Sequence, residues 1–411
     1  MSETYARSDV GDGLIVLTES MPGVRSASIG VWVRAGSVYE TPEIMGVSHM
    51  LEHMVFKGTA RRSAHELALV IERLGGVLDA YTTREHTCYQ AKVLDEHTDI
   101  ALDVLADLVL APQLRAEDLE LEREVVLEEI ATVEDTPDDL IFDLHAERLW
   151  QGHPYGYSIL GTRETVANLT ADTLRTLHRA AYHRGGIIVA AAGNVDHERF
   201  TARVAELFAS ASAGGKPVEP AAAQMAAPEE VTIERTSSQT HLVLGTRTFG
   251  HQDPLRTALV LLSNAFGGGM SSRLFQRVRE ELGLAYAVYS FHNFYRMGGM
   301  VGVYAGTRPD GADRTEAVIR EELTRVAGAG LDAQELDDAK GQVKGQLVLS
   351  LESSGTRLHR LAATALYGEP FRTAEDVMRC VDAVTLDEVA ALAAEHLAPE
   401  LQTVVRLGPE L

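Results

Sequence analysis

Between Ala211 and Pro228 the chain reads ASAGGKPVEPAAAQMAAP, and this stretch decides the architecture. Pro, Gly and Ala replace the periodic apolar residues found on either side, the composition of a linker. What precedes it begins with an alternating segment, SASIGVWVRAG. There Ala27, Ile29, Val31 and Val33 share one face, and Ser28, Gly30, Trp32 and Arg34 the other, the period-two pattern of a strand with one buried face. The preceding GLIVLTE is expected to be its hairpin partner. A helix follows through GVSHMLEHMVFKGT (residues 46–59). A second starts at Ser63, where Ser63 and Glu66 form a capping box, and stops at Gly75-Gly76. VLDAYTTREHTCYQAKVL alternates as two more strands, long amphipathic helices run to about residue 181, and GIIVAAAG closes the half.

After the linker the order begins again. Strands EVTIERT and THLVLGTR are followed by helices PLRTALVLLSNAF and SSRLFQRVREELG. Strands LAYAVYSFHNFY and GGMVGVYAGT come next, then helices, then the strand LQTVVRLG. The repeat implies duplication of an α+β unit of about 200 residues. The expected fold is two similar tandem α+β domains, each a mostly antiparallel sheet packed against helices. Their expected bounds are residues 1–210 and 229–411, joined by the linker 211–228.

Composition narrows the function. The chain has 411 residues, 45% hydrophobic and 24% charged, the profile of a globular protein. No apolar run approaches the roughly 20 residues of a membrane-spanning helix. The amino terminus lacks the layout of a signal peptide. Two distant cysteines, Cys88 and Cys380, argue for a reducing compartment, so a cytoplasmic location is expected. With 37 Lys and Arg against 60 Asp and Glu the net charge is -23, which disfavours nucleic acid and anionic membranes as partners.

The first half departs from the second at HMLEH. His49 and His53 lie one helical turn apart on one face, about 6 Å from each other, where two imidazoles grip one tetrahedral metal ion. Glu52 stands beside them. The flanking Met50, Leu51, Met54, Val55 and Phe56 are apolar, so an unpartnered His and Glu here would be costly to bury. Zinc needs a further protein ligand, and AEDLELEREVVLEEIATVED offers two carboxylates in apolar company. Leu119, Val126, Ile130 and Val133 make its apolar stripe, and Glu122 and Glu129 lie on that stripe, about 20° apart. Glu120, Glu124 and Glu128 follow a row suited to solvent. Glu128 and Glu129 differ by about 100°, so only one faces the core, and Glu129 is the expected one.

HMLEHMVFKGT and the later EREVVLEEI resemble the inverted zinc-peptidase motif of the pitrilysin family, whose H-x-x-E-H signature is specific. The similarity is greatest to the short, two-domain members related to the mitochondrial processing peptidase. It extends through GVWVRAGSVYE, GGVLDAYTTREHTCY, HPYGYSILGT, GNVDHERF and GGGMSSRLFQRVREELGLAYAV. The resemblance implies a zinc endopeptidase with one Zn2+ per chain held by His49, His53 and Glu129. Glu52 would be general base and Glu122 an auxiliary acid. Arg279 and Tyr286, seven residues apart, would hold the peptide substrate, and the strand at Asp79, Ala80 and Tyr81 would receive it by strand addition. Asp79 stands where family members carry Asn, which puts subsite preference in doubt. Two chains are expected to pair, as a homodimer or with a related chain, Arg279 and Tyr286 of one completing the zinc site of the other. The alternatives are a non-catalytic scaffold or substrate-holding subunit of the same architecture, and the catalytic half of a heteromeric peptidase.

Overall fold

The structure, a computed structural model, describes residues 4–214 and 227–409. The central part of the expected linker, residues 215–226, lies outside the described residues. The first half opens with strands β1 (Thr4–Asp9), β2 (Ile15–Ser20) and β3 (Ser26–Val33), then helices α1 (Val47–Val55) and α2 (Ala64–Glu72). The hairpin β4 (Val77–Thr82) and β5 (Thr87–Leu94) follows. Next come α3 (Thr98–Leu110), α4 (Ala116–Glu134), α5 (Pro137–Leu149), α6 (Arg163–Asn168) and α7 (Ala171–Ala181). Strand β6 (Ile187–Gly193) and α8 (His197–Leu207) end the half.

The second half repeats this with β7 (Glu230–Glu234), β8 (Thr240–Thr248) and α9 (Arg256–Gly267), then a π-helical segment at Phe275–Glu281. The hairpin β9 (Ala285–Phe294) and β10 (Gly299–Thr307) follows. Helices α10 (Ala312–Ala329), α11 (Ala333–Ser350), α12 (Ser354–Tyr367), α13 (Ala374–Ala383) and α14 (Leu386–His396) lead to β11 (Thr403–Gly408).

The two sheets share the order of five strands, and the first adds β1 at its edge. The first runs β1-β2-β6-β3-β5-β4 and the second β7-β11-β8-β10-β9. In each half the last strand makes the one parallel pair, β6 on β2, the second strand of its half, and β11 on β7, the first of its half, and every other pairing is antiparallel. The α+β duplication therefore stands. The expected hairpin of β2 with β3 does not form, because β6 inserts between them. All seven residues of β6 are buried, and a strand apolar on both faces belongs at the centre of a sheet rather than at its edge. The box at Ser63 forms as expected: its hydroxyl accepts from the Glu66 N–H and the Glu66 carboxylate accepts from the Ser63 N–H. Gly75, at φ 70°, turns the chain out of the helix.

The compact units do not coincide with the sequence halves. One comprises Met1–Ala131, Tyr157–Pro220 and Ser350–Phe371, the other Thr132–Gly156, Ala221–Leu349 and Arg372–Leu411. The halves exchange one helix each: α12 packs on the first sheet and α5 on the second. On the first sheet Ala27, Ile29, Val31 and Val33 join the core formed with α1, α2, α3, α7 and α8. The opposite face of β3, expected to be open, is covered by α12. Trp32 packs against Leu358, Leu361 and Ala362, Ser28 hydrogen-bonds Ser354 at 2.9 Å, and Arg34 donates to the Ala365 carbonyl at 2.9 Å. Arg357 pairs with the fully buried Glu19 of β2. On the second sheet, α5 lays Ile141 on Val243, Tyr304, Val405 and Leu407. Its buried His145 lies 3.1 Å from the Thr403 carbonyl, over Gly245, where a Cβ would meet the imidazole at 2.7 Å.

Candidate active site

Helix α1 carries its apolar side chains Val47, Met50, Leu51, Met54 and Val55 into the core, which fixes its rotation about its own axis. The remaining side of the turn presents His49 and His53, with ring centroids 4.5 Å apart. Helix α4 buries Leu119, Glu122, Val126 and Ile130, and that seating aims Glu129 at the imidazoles. Glu120, Glu124 and Glu128 are exposed, as their row requires.

Three donor atoms converge. His49 Nε2 and His53 Nε2 are 3.2 Å apart, and Glu129 Oε2 lies 3.6 Å from the first and 3.5 Å from the second. Ligand atoms around a tetrahedral zinc with bonds of about 2.0–2.1 Å stand about 3.3 Å from one another, so this triangle has the dimensions of one face of such a site. The chemistry agrees. His53 Nδ1 lies 3.0 Å from Glu122 Oε1, and donating its proton there leaves the lone pair on Nε2. Glu129 Oε2 is buried and finds no N–H or O–H donor among the described residues. Burial, then the neighbouring charge of His53, pushes the His49 imidazole down to about 3, which keeps it neutral as a metal ligand must be. These three are also the one cluster of potential metal ligands among the described residues.

Glu122 meets His53 on its Nδ1 side, away from the Nε2 that faces His49 and Glu129. It is 5% exposed and is held between His53 and Lys57, where it orients the His53 imidazole. Burial favours its neutral form, but the hydrogen bonds from His53 and Lys57 outweigh that and lower its pKa. On His53 burial likewise opposes the charge, and Glu122, Glu129 and Glu52 outweigh it and raise the pKa. Glu52 is 9% exposed; burial raises its pKa, opposed first by the Thr82 hydroxyl, which donates to Oε2 at 2.6 Å.

Lys57 and Thr82 were absent from the sequence reading. Lys57 had a signal, since His49, His53 and Lys57 follow one another at spacings of four. Thr82 had none: it ends β4, and only the packing of that strand beside α1 brings its hydroxyl to Glu52.

Strand β4 is an edge strand, with one side of its backbone free of pairing. Asp79 is exposed and lies 3.4 Å from Gln90, its cross-strand neighbour, while Ala80 packs toward the core that contains α1. Tyr81 turns to the other face, its hydroxyl 3.1 Å from His359 of α12. Its side chain is thus occupied on the α12 face, and its backbone is what a peptide could meet. Arg279 and Tyr286 lie in the other compact unit and engage each other. The guanidinium sits 4.4 Å from the Tyr286 ring centroid and donates to the Tyr286 carbonyl at 3.1 Å, leaving the tyrosine 77% exposed.

Comparison with known proteins places this arrangement. Residues 15–163 match the family model described as Insulinase (Peptidase family M16), and residues 168–343 the Peptidase M16 inactive domain. An uncharacterized zinc protease of Mycobacterium leprae is 41% identical over 99% of this chain and 92% of its own length. One from Bacillus subtilis is 40% identical over 93% of both. This chain belongs to peptidase family M16. Among solved structures, the M16 chain superposes on a peptidase M16 inactive domain from Pseudomonas fluorescens with a TM-score of 0.93 at 24% identity, covering 99% of this chain and 98% of that one. A protease from Helicobacter pylori gives a TM-score of 0.91 at 21% identity, over 99% and 100%. At those identities the M16 likeness is one of fold. Among the described residues, no helix of the M16 chain is long and apolar enough to cross a membrane.

Proposed function

We propose that this chain is a zinc-dependent endopeptidase acting on extended peptides or unfolded segments. The observation that carries the reading is the triangle of His49, His53 and Glu129, whose edges of 3.2, 3.5 and 3.6 Å suit a tetrahedral zinc and leave room for a fourth ligand. When bound, zinc supplies a Lewis acid that acidifies water and polarises a carbonyl. Glu52, on the same turn, takes the proton from the attacking water and returns it to the leaving amine. Burial raises its carboxyl pKa, and the Thr82 hydroxyl, which opposes that shift, holds it in one orientation. Glu122 and Lys57 hold His53 with its lone pair forward. The free edge of β4 takes the peptide as an added strand, reading main chain more than side chains. Two chains pair, and Arg279 and Tyr286 of one hold the substrate bound at the zinc site of the other, Tyr286 donating to the developing oxyanion.

Metal analysis with cleavage of an unstructured peptide tests this. Glu52→Gln is expected to keep its zinc and lose at least about a hundredfold in turnover, and Glu129→Gln to lose most of the metal. A Glu129→Gln chain that holds zinc as the wild type does would overturn the assignment. Mixing Glu52→Gln with Tyr286→Phe chains tests the pairing, and a mixture no more active than its parts would argue against shared sites.

A further inference from the structure

The stretch GVWVRAGSVYE ends on Glu40, which the proposed chemistry does not use. It is a carboxylate 5% exposed, placed just after a short helical turn at Ser37–Tyr39. Its Oε2 accepts the Gly46 N–H at 2.8 Å and its Oε1 the Ser48 N–H at 2.8 Å. Burial raises the pKa of this carboxyl, and the hydrogen bonds from Ser48 and Gly46 oppose that by favouring the ionised form.

The two N–H groups belong to the first turn of α1, the helix that carries HMLEH. That helix starts without the usual devices: Gly46 precedes it at φ 86° with no side chain to cap it, and its first turn holds no acidic residue. A capping side chain has no room there. A Cβ on Gly46 would meet the Leu160 carbonyl oxygen at 2.5 Å, and one on Gly161 the Met45 carbonyl oxygen at 2.4 Å, so two backbones cross at this point. The cap is supplied from six residues upstream instead.

Its consequence for the site is electrostatic as well as geometric. His49 is the third residue of α1. A helix N-terminus carries roughly half a positive charge, which opposes a dication held one turn away. A buried anion bonded to that terminus offsets it. We propose that Glu40 is a positioning residue for the metal centre: it fixes the start of α1 in place and neutralises its positive end, so that His49 and His53 accept a divalent cation. This rests on the zinc reading above.

The test is metal affinity of the full chain, measured by chelator competition with Zn2+ and by the visible spectrum of Co2+ in the site, with apo chains shown to be folded beforehand. Glu40→Gln keeps the shape but removes the charge and one acceptor. It is expected to bind Zn2+ roughly tenfold more weakly with an altered Co2+ spectrum, while Glu43→Gln, an exposed carboxylate nearby, leaves both unchanged. A role confined to stability would lower the apo melting temperature and leave the affinity of the folded chain where it was. Affinity within twofold of wild type in a folded Glu40→Gln chain overturns the proposal. Should that chain not fold, Glu40→Asp carries the test, since it is too short to reach both N–H groups: several-fold weaker binding supports the role, and wild-type affinity overturns it. A wild-type chain that takes no metal would overturn the zinc reading itself, and this role with it.

Discussion

The two halves of this chain are built to one plan and differ in what they can hold. Five strands follow the same order in both sheets, down to the single parallel pair in each, and only the first sheet carries an added edge strand, β1. Helix α1 is matched in position by α9, which offers Ser263 and Asn264 but no imidazole or carboxylate. Helices α4 and α11 both begin within a Leu-x-Ala-x-x-Leu segment, Leu114–Leu119 and Leu331–Leu336. Counting from there, Ala339 stands where α4 has Glu122 and Gln346 where it has Glu129. The fold is indifferent to these exchanges because backbone pairing and apolar burial specify it, and both halves retain those. Metal chemistry depends on a few side chains, and one half has lost them or never had them.

The sharpest way to break this comparison is to remove a polar side chain from α1 and from α9 in turn. His53→Ala is expected to abolish zinc binding and peptide cleavage together, whereas Asn264→Ala keeps the metal content of wild type, measured by elemental analysis. Metal lost from both variants alike would mean that the halves are not chemically distinct.

A smaller effect is expected one bond further out. Glu122→Gln leaves His53 without its anionic partner and should weaken zinc by about 10–100-fold. Ala339→Glu, at the matching place in α11, should add no metal and should destabilise the chain, because Ala339 is buried and a carboxylate there loses its hydration.

The exchanged helices invite the same treatment. On the first sheet α12 is seated by the buried pair of Arg357 with Glu19, and Glu19→Ala should cost about 3–5 kcal/mol by removing the anion that faces the buried guanidinium. On the second sheet α5 is seated by His145 on the Thr403 carbonyl, and His145→Ala should cost about 1–3 kcal/mol. Denaturant midpoints of the two variants measure the difference, and equal losses would show that the two seats are energetically alike.

The smallest effect is on acid stability. Burial pushes the His145 imidazole down to about 4, against the hydrogen bonds to Thr403 and Gly245, whereas an unfolded histidine titrates near about 6.5. The unfolded chain therefore binds the proton first, so stability is complete above about pH 6.5 and falls as the pH drops toward 4. His145→Gln should flatten that part of the pH–stability curve. An unchanged slope would assign it to other buried histidines, among them His86 of the first unit, which is likewise pushed down to about 4.

Much of this was legible in the sequence because it is written in local periodicity. The alternation of β3, the capping box at Ser63 and the apolar stripe of α4 each follow from spacing alone, and the stripe singles out Glu129 over Glu128. The hairpin of β2 with β3 was not legible, since adjacency in sequence says nothing of a strand arriving 150 residues later to separate them. Nor was the second buried face of β3. Ser28 and Arg34 are polar and read as solvent-facing, and their partners Ser354 and the Ala365 carbonyl lie more than 300 residues away.

By itself, then, the sequence determined the repeated α+β order, the helical turn bearing two imidazoles and a carboxylate, and the choice of Glu129 as the carboxylate of α4 that meets them. Those depend on residues within one or two turns of each other, where the pitch of a helix or the pleat of a strand dictates direction. Only the tertiary structure decided that the halves trade helices, that Thr82 holds Glu52, that Glu122 serves His53, and that Glu40 caps α1. Each is a hydrogen bond or a packed face between segments that the chain brings together only on folding, and no local period encodes such a meeting.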